Sequence, residues 1–175
     1  VMKDRNVDSL KDALRNVPGI TLEAGEGGTP TGDSMSIRGF NARSNIMIDG
    51  VRDVAGYSRD TFNIESVEVA KGPGSAVYGR GSAGGTINMV TKTAKLDEFK
   101  DVSLRVGSES DYRVQVDANI AVGESSALRL NLLNDDGGVA GRDEVENSKA
   151  AIATSFVSGV ATDSRLTINA DYQKQ

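Results

Sequence analysis

Three runs in the first half of the chain decide its reading: Ser36-Ile37-Arg38-Gly39-Phe40, Ile46-Met47-Ile48-Asp49-Gly50-Val51-Arg52-Asp53 and Ile64-Glu65-Ser66-Val67-Glu68-Val69-Ala70-Lys71-Gly72-Pro73. Each is a short apolar stretch ended by glycine, where the chain needs a positive φ or a close approach of backbones. A fourth run, Tyr78-Gly79-Arg80-Gly81-Ser82-Ala83-Gly84-Gly85-Thr86-Ile87-Asn88-Met89-Val90-Thr91-Lys92, places dense glycine ahead of another apolar strand. Strands this short, punctuated this often, predict a small mixed α+β domain of tight turns.

Upstream, Leu10, Ala13, Leu14 and Val17 recur at helical spacing. Asp8 is the expected N-cap, Val7 the staple and Pro18-Gly19 the stop. A strand over 20–22 leads to a Gly/Thr/Pro loop over 24–33, and further strands are expected over 35–38, 46–48, 67–70 and 86–90. Residues 75–78 have room for one helical turn. Arg38 reads as a mid-strand residue among Met35, Ile37 and Phe40.

Downstream, the pattern changes to a period of two. Val102, Leu104 and Val106 alternate with polar residues, as do Tyr112 through Val122, Leu128 through Leu132 and Leu166 through Tyr172; the stretch 150–160 is weaker. Five strands of roughly ten residues are the length that crosses a bilayer at a tilt. Turns over 108–110, 123–126 and 158–163 are short, while 135–147 reads as a long polar loop. If the first strand rises from the periplasmic side, the long loop lies outside. The same alternation also fits a soluble antiparallel sandwich. The expected division is 1–95 for the mixed domain and 96–175 for the strands.

Composition removes most other classes. The net charge of −5 is wrong for a nucleic-acid binder, and with neither cysteine nor histidine there is no disulfide, no thiolate or imidazole metal ligand, and no histidine base. Glu65 and Glu68, three apart on a strand, are expected on opposite faces, which argues against paired acid–base catalysis. Gly79 through Gly84 matches G-x-G-x-x-G, but a strand follows it where a dinucleotide site needs a helix. Asp135-Asp136-Gly137-Gly138 reads as a solvated acidic turn. No run approaches the 18 or so apolar residues of a membrane helix, though barrel strands leave none either. The chain opens on Val1 and closes inside an alternating pattern, as a piece of a longer protein does.

The four runs, in order and spacing, resemble the successive signatures of the plug domain of TonB-dependent outer-membrane receptors. The resemblance is specific from the first helix through Lys92, and residues 51–60 are most similar to receptors for ferric catecholate siderophores. It implies a plug followed by antiparallel transmembrane strands of a barrel of about 22 strands, in the outer membrane of a Gram-negative bacterium. It implies no enzyme and no cofactor held by the protein, iron entering as a siderophore chelate. It implies partnership with TonB (with ExbB and ExbD) through a segment preceding Val1, and with outer-membrane lipid. Arg38 and the basic residue before Gly-Pro, here Lys71, are implied to anchor the plug to barrel-wall glutamates; Lys71 stands where arginine is usual and lacks its bidentate fork. Glu65, Glu68 and Arg80 belong to the same expected anchoring set. The apical loops map to 24–33, 41–45 and 54–59, where Arg43, Tyr57 and Arg59, with Arg52 beside them, offer guanidinium groups and a ring to an anionic aromatic chelate. Another cargo (cobalamin, heme or an oligosaccharide) and a soluble β-sandwich binding module remain the alternatives.

Overall fold

The computed structural model describes residues 7–23, 32–74, 83–107, 111–139 and 142–174. The chain divides into two compact units, Val1–Thr91 and Lys92–Gln175. The division thus falls before the segment Lys92 to Lys95, which bonds to strands of the second unit.

Unit one begins with a short helix, α1 (Leu10–Leu14). Its cap is Ser9 and not Asp8: the Ser9 hydroxyl accepts from Asp12 N and donates to Asp12 Oδ2. The two candidates are adjacent, and only the realised backbone turn distinguishes them. Leu10 and Leu14 are fully buried, each contributing about 1.5–3 kcal/mol. They join Met35, Ile37, Ala42, Ile46, Ile87 and Met89 in one core.

Two small sheets surround that core. The first orders β1 (Ile20–Leu22), β2 (Met35–Ile37) and β3 (Phe40–Asn41); the second orders β5 (Val51–Arg52), β4 (Ile46–Ile48), β7 (Gly85–Thr91) and β6 (Ile64–Lys71). All pairs are antiparallel except β4 with β7.

Arg38 is not mid-strand. Ile37 pairs with Phe40 across a two-residue loop in which Arg38 has φ 51° and Gly39 φ 82°. Asp49 (φ 50°) and Gly50 (φ 79°) repeat this between β4 and β5. Positive φ at both central residues is the type I′ hairpin arrangement, which suits the strand twist. Asp-Gly announces such a turn; Arg-Gly does so only through its glycine.

The face assignment of Glu65 and Glu68 also changes. The β6–β7 register shifts between Ile64 and Ser66, so Glu65 is an extra residue. The bulge brings Ile64 into phase with Val67 and Val69 against the core, and leaves Glu65 and Glu68 both exposed.

Unit two is one antiparallel sheet in sequential order: β8 (Phe99–Val106), β9 (Tyr112–Ala121), β10 (Ser126–Val139), β11 (Arg142–Ser158) and β12 (Leu166–Lys174). The expected long loop over 135–147 is mostly strand. Asp135 opposes Lys149, Asp136 opposes Ser148 and Gly137 opposes Asn147, with the register shifting only at Gly138/Val139. Asp135 stands between Lys149 on one side and Arg113 on the other, bonding Arg113 at 2.6 Å. Cross-strand charge pairing of this kind stabilises a strand that composition alone reads as a loop.

The two faces of this sheet are reversed relative to a soluble sandwich. The apolar face is open, with Val102 72% and Leu104 68% exposed and Ile120, Ile152, Ile168 and Tyr172 beside them. The buried face is polar: Arg113, Asp117, Asn119, Arg129, Asn131 and Ser155. Apolar-out, polar-in alternation is the pattern of strands facing lipid.

Candidate functional site

Two loops beside the small sheets of unit one meet around Arg59. This residue is only 3% exposed. Its guanidinium lies between two carboxylates: Nη1 is 3.2 Å from Asp33 Oδ2, while Nη2 and Nε are 2.9 and 3.1 Å from Asp53 Oδ2. The Arg59 backbone N–H donates to Asp33 Oδ2 (2.9 Å), and Nη2 also donates to the carbonyls of Asp53 and Ala55 (3.2 and 3.0 Å). Tyr57 completes the knot. Its hydroxyl donates to Asp53 Oδ2 (2.8 Å), and its ring carries the Arg59 guanidinium 4.5 Å from the centroid.

The electrostatics reflect these contacts. Burial by itself raises the Asp53 carboxyl. The hydrogen bonds from the Tyr57 hydroxyl and the Ala55 N–H, with the charge of Arg59, outweigh it and hold the group below the usual aspartate range. Asp33 Oδ1 is buried without a hydrogen-bond partner, so Arg59 is what compensates that carboxylate.

Glycine sets how closely the loops approach. A Cβ on Gly32 (φ 66°) would fall 2.7 Å from the Gly56 carbonyl carbon, and one on Gly56 would fall 2.8 Å from Arg43 Nη2. The Gly56 backbone is therefore lined by Gly32 and by the guanidinium of Arg43.

This geometry separates the expected site residues. Arg43, Tyr57 and Arg59 are brought into one cluster, but in different roles: Arg43 is exposed at the start of a 3₁₀ turn, Tyr57 half-buried, and Arg59 turned inward. Arg52 is half-buried in β5. Residues 24–31 and Arg80, like the turns expected over 75–78 and 108–110, lie outside the described residues. Among the anchoring candidates, Arg38 is exposed and its Nη1 lies 3.9 Å from where a Gly72 Cβ would be, which puts its head beside the end of β6 where Lys71 is also exposed. Glu68 accepts from Asn88 Nδ2 (3.0 Å). Asp33 is an addition from the structure; the Asp-flanked loop already offers Asp53 as a partner for its arginines, but not the carboxylate 26 residues away.

A second polar cluster lies within unit two, on the buried face of the sheet. Asp117 on β9 takes both Nε and Nη2 of Arg129 on β10 at 2.8 Å, and Lys92 Nζ at 3.0 Å. Lys92 also donates to Asn131 Oδ1 (3.0 Å). Arg129 Nη1 donates to the Thr93 carbonyl (3.1 Å), and its guanidinium stands 5.1 Å from the Phe99 ring centroid. Ala94 N donates to Ser155 Oγ (3.1 Å), and Asn119 bonds both N and O of Lys95 and the carbonyl of Asp97. The segment entering the strands is thus laid along three of them. Asp117 and Arg129 are visible in the sequence as polar inward residues; this use of them is not.

Comparison with known proteins assigns the family. The TonB-dependent Receptor Plug Domain matches residues 1–86. The protein BfrD of Bordetella pertussis, named as a probable TonB-dependent receptor, is 46% identical over 96% of this chain and 23% of its own length. The catecholate siderophore receptor Fiu of Escherichia coli K12 is 43% identical over 97% of this chain and 22% of its own. In structure, the closed form of Fiu superposes with a TM-score of 0.92 at 41% identity over 98% of this chain and 24% of that one. The siderophore receptor PiuA from Acinetobacter baumannii gives 0.92 at 41%, over 98% and 25%. The chain spans about a quarter of the length of these relatives. With a plug fold, an apolar-out sheet and this likeness across both units, the chain belongs to the TonB-dependent receptors of the outer membrane, a family of transport receptors and not of enzymes: a plug domain followed by strands of the receptor barrel.

Proposed function

We propose that the full-length protein binds a ferric siderophore of the catecholate class on its plug and imports it in a TonB-dependent manner, the plug gating the barrel. The observation that carries this reading is the likeness, over nearly the whole chain, to Fiu and PiuA, a catecholate siderophore receptor and a siderophore receptor. The apex geometry supports it. An anionic, aromatic-rich chelate needs a cation for charge-assisted hydrogen bonds and a ring for stacking. Arg43 presents an exposed guanidinium across Gly56, with Tyr57 next in the chain. These two are the ligand contacts we assign, with Arg52 beside them. Arg59 is assigned to hold the loops, because a guanidinium shared by two carboxylates has no donor face to offer a chelate.

In this reading residues 1–95 are the plug and 96–175 the first barrel strands. Arg38 and Lys71 meet carboxylates of barrel strands outside this chain, Lys71 by a single point-charge contact. Glu65, Glu68 and Arg80 complete the anchoring set. TonB, with ExbB and ExbD, supplies energy through a segment preceding Val1, and the protein holds no cofactor of its own. The test is radioiron uptake by iron-starved cells whose only receptor is the full-length protein. Uptake of a ferric catecholate that disappears without TonB is expected; uptake of a sugar or cobalamin, independent of iron supply and with no ferric chelate entering, would overturn the reading.

A further inference from the structure

The peptide bond between Thr91 and Lys92 joins two residues that are each held firmly by their own unit. In unit one, Asp49 accepts from the Thr91 N–H (2.8 Å) and from its hydroxyl (2.6 Å). In unit two, Lys92 is held by Asp117 and Asn131. Residues 93–97 are not a linker in the ordinary sense. Linkers lie on the surface, solvate their backbone and carry small or polar side chains. Here the Thr93, Lys95 and Asp97 carbonyls and the Ala94 and Lys95 N–H groups are all met by side chains from three different strands. The Ala94 methyl is buried with Ala127 and Val157.

The side chains that meet the segment are themselves buried: Asn119, Asn131, Ser155, Arg129 and Asp117. If the segment lifted away, Asn119, Asn131 and Ser155 would lose the bonds they make to it, Arg129 would lose the Thr93 carbonyl, and Asp117 would part from one of its two cations. Buried polar groups are costly to orphan, and a network of them more so than single pairs. Moving parts of proteins come from regions with few such contacts. This segment has the opposite character.

We propose that the Asp117–Arg129–Lys92 cluster is a fixed mooring: it keeps residues 92–97 on the barrel wall throughout transport, so that all opening is accommodated on the N-terminal side of Thr91. Asp117 is the positioning residue, since it joins the segment's cation to the wall's arginine. The proposal rests on the transport reading above.

The test uses the full-length receptor with Ala94→Cys and Ser155→Cys, a pair already in contact through the Ala94 N–H and the Ser155 hydroxyl; this stretch contains no native cysteine. Oxidised and reduced forms are compared for chelate binding and for uptake. The mooring predicts uptake within about twofold of wild type when the disulfide is closed, because binding the segment to the wall forbids nothing that transport requires. Asp117→Asn should leave chelate affinity unchanged and slow uptake by about fivefold or more, and closing the disulfide in the same protein should restore it. Loss of uptake on closing the disulfide, recovered by reductant, would overturn the proposal, as would Asp117→Asn receptor that transports normally. A wild-type receptor that takes up no ferric chelate at all would instead count against the transport reading and leave a different signature.

Discussion

The apex knot and the wall mooring are opposite solutions to one problem. At the apex a single cation, Arg59, is shared by two carboxylates, Asp33 and Asp53. On the wall a single carboxylate, Asp117, is shared by two cations, Arg129 and Lys92. Both are buried, and both tie a loop or connecting segment to a neighbouring element. The apex arrangement leaves one unit of negative charge, and Arg43, standing outside it across Gly56, is the positive group proposed to meet an anionic ligand. On the wall, Arg129 and Lys92 also reach the Thr93 carbonyl and the Asn131 amide oxygen. Shared charges of this kind bring specificity of geometry, and breaking them by removing one partner is much worse than their net worth suggests.

The comparison can be broken at several points. The largest effect belongs to Asp117→Ala, which leaves two buried cations facing each other. We expect a loss of about 3–5 kcal/mol in the denaturant stability of the refolded receptor. Gly32→Ala comes next. It strains a positive φ and drives a methyl into the Gly56 backbone, with an expected cost of about 2–3 kcal/mol read from plug protection in hydrogen exchange. Arg59→Lys retains the charge but not the fork that reaches both aspartates. Chelate affinity should fall by about tenfold through loosened loops, with the barrel's unfolding unchanged.

Gly56→Ala is gentler still. The new methyl meets only the far end of the flexible Arg43 side chain, so stability should hold while affinity drops by about threefold to tenfold. The smallest effect is that of pH. The folded Asp53 carboxyl is the stronger acid, so its contribution is complete above the unfolded aspartate value of about 3.9 and is lost as pH falls from there through the lower folded value. Loop protection should therefore be flat between neutrality and about pH 5 and decline only below about pH 4.

Legibility in the sequence depends on whether neighbours in sequence are neighbours in space. The strand runs ended by Gly39, Gly50 and Gly72, and the alternation from Val102 to Tyr172, are local signals and translate directly into β2, β4, β6 and the five-stranded sheet. Arg38 reads as mid-strand because arginine is a rare occupant of positive φ; its hairpin obeys the Gly39 signal and not the apolar pattern. Asp135 to Asn147 reads as a loop until the register sets Asp135 between Arg113 and Lys149. The bulge at Glu65 is invisible in residues 64–71 alone, since it brings Ile64 into phase with a core assembled by other elements. Arg59 stands out for its charge, yet its role depends on Asp33, far away in the chain. Lys92 ends a recognised motif, and only the folded sheet reveals Asp117 as its partner.

The central claim is that the plug apex recognises an anionic ferric chelate through Arg43. Isothermal titration of the full-length receptor with a ferric catecholate siderophore, wild type against Arg43→Ala, tests it most directly. The account predicts saturable binding by wild type that weakens by about tenfold or more in the variant, with both proteins unfolding alike. Equal affinity of the two proteins, or binding of cobalamin where the ferric chelate fails to bind, would contradict it.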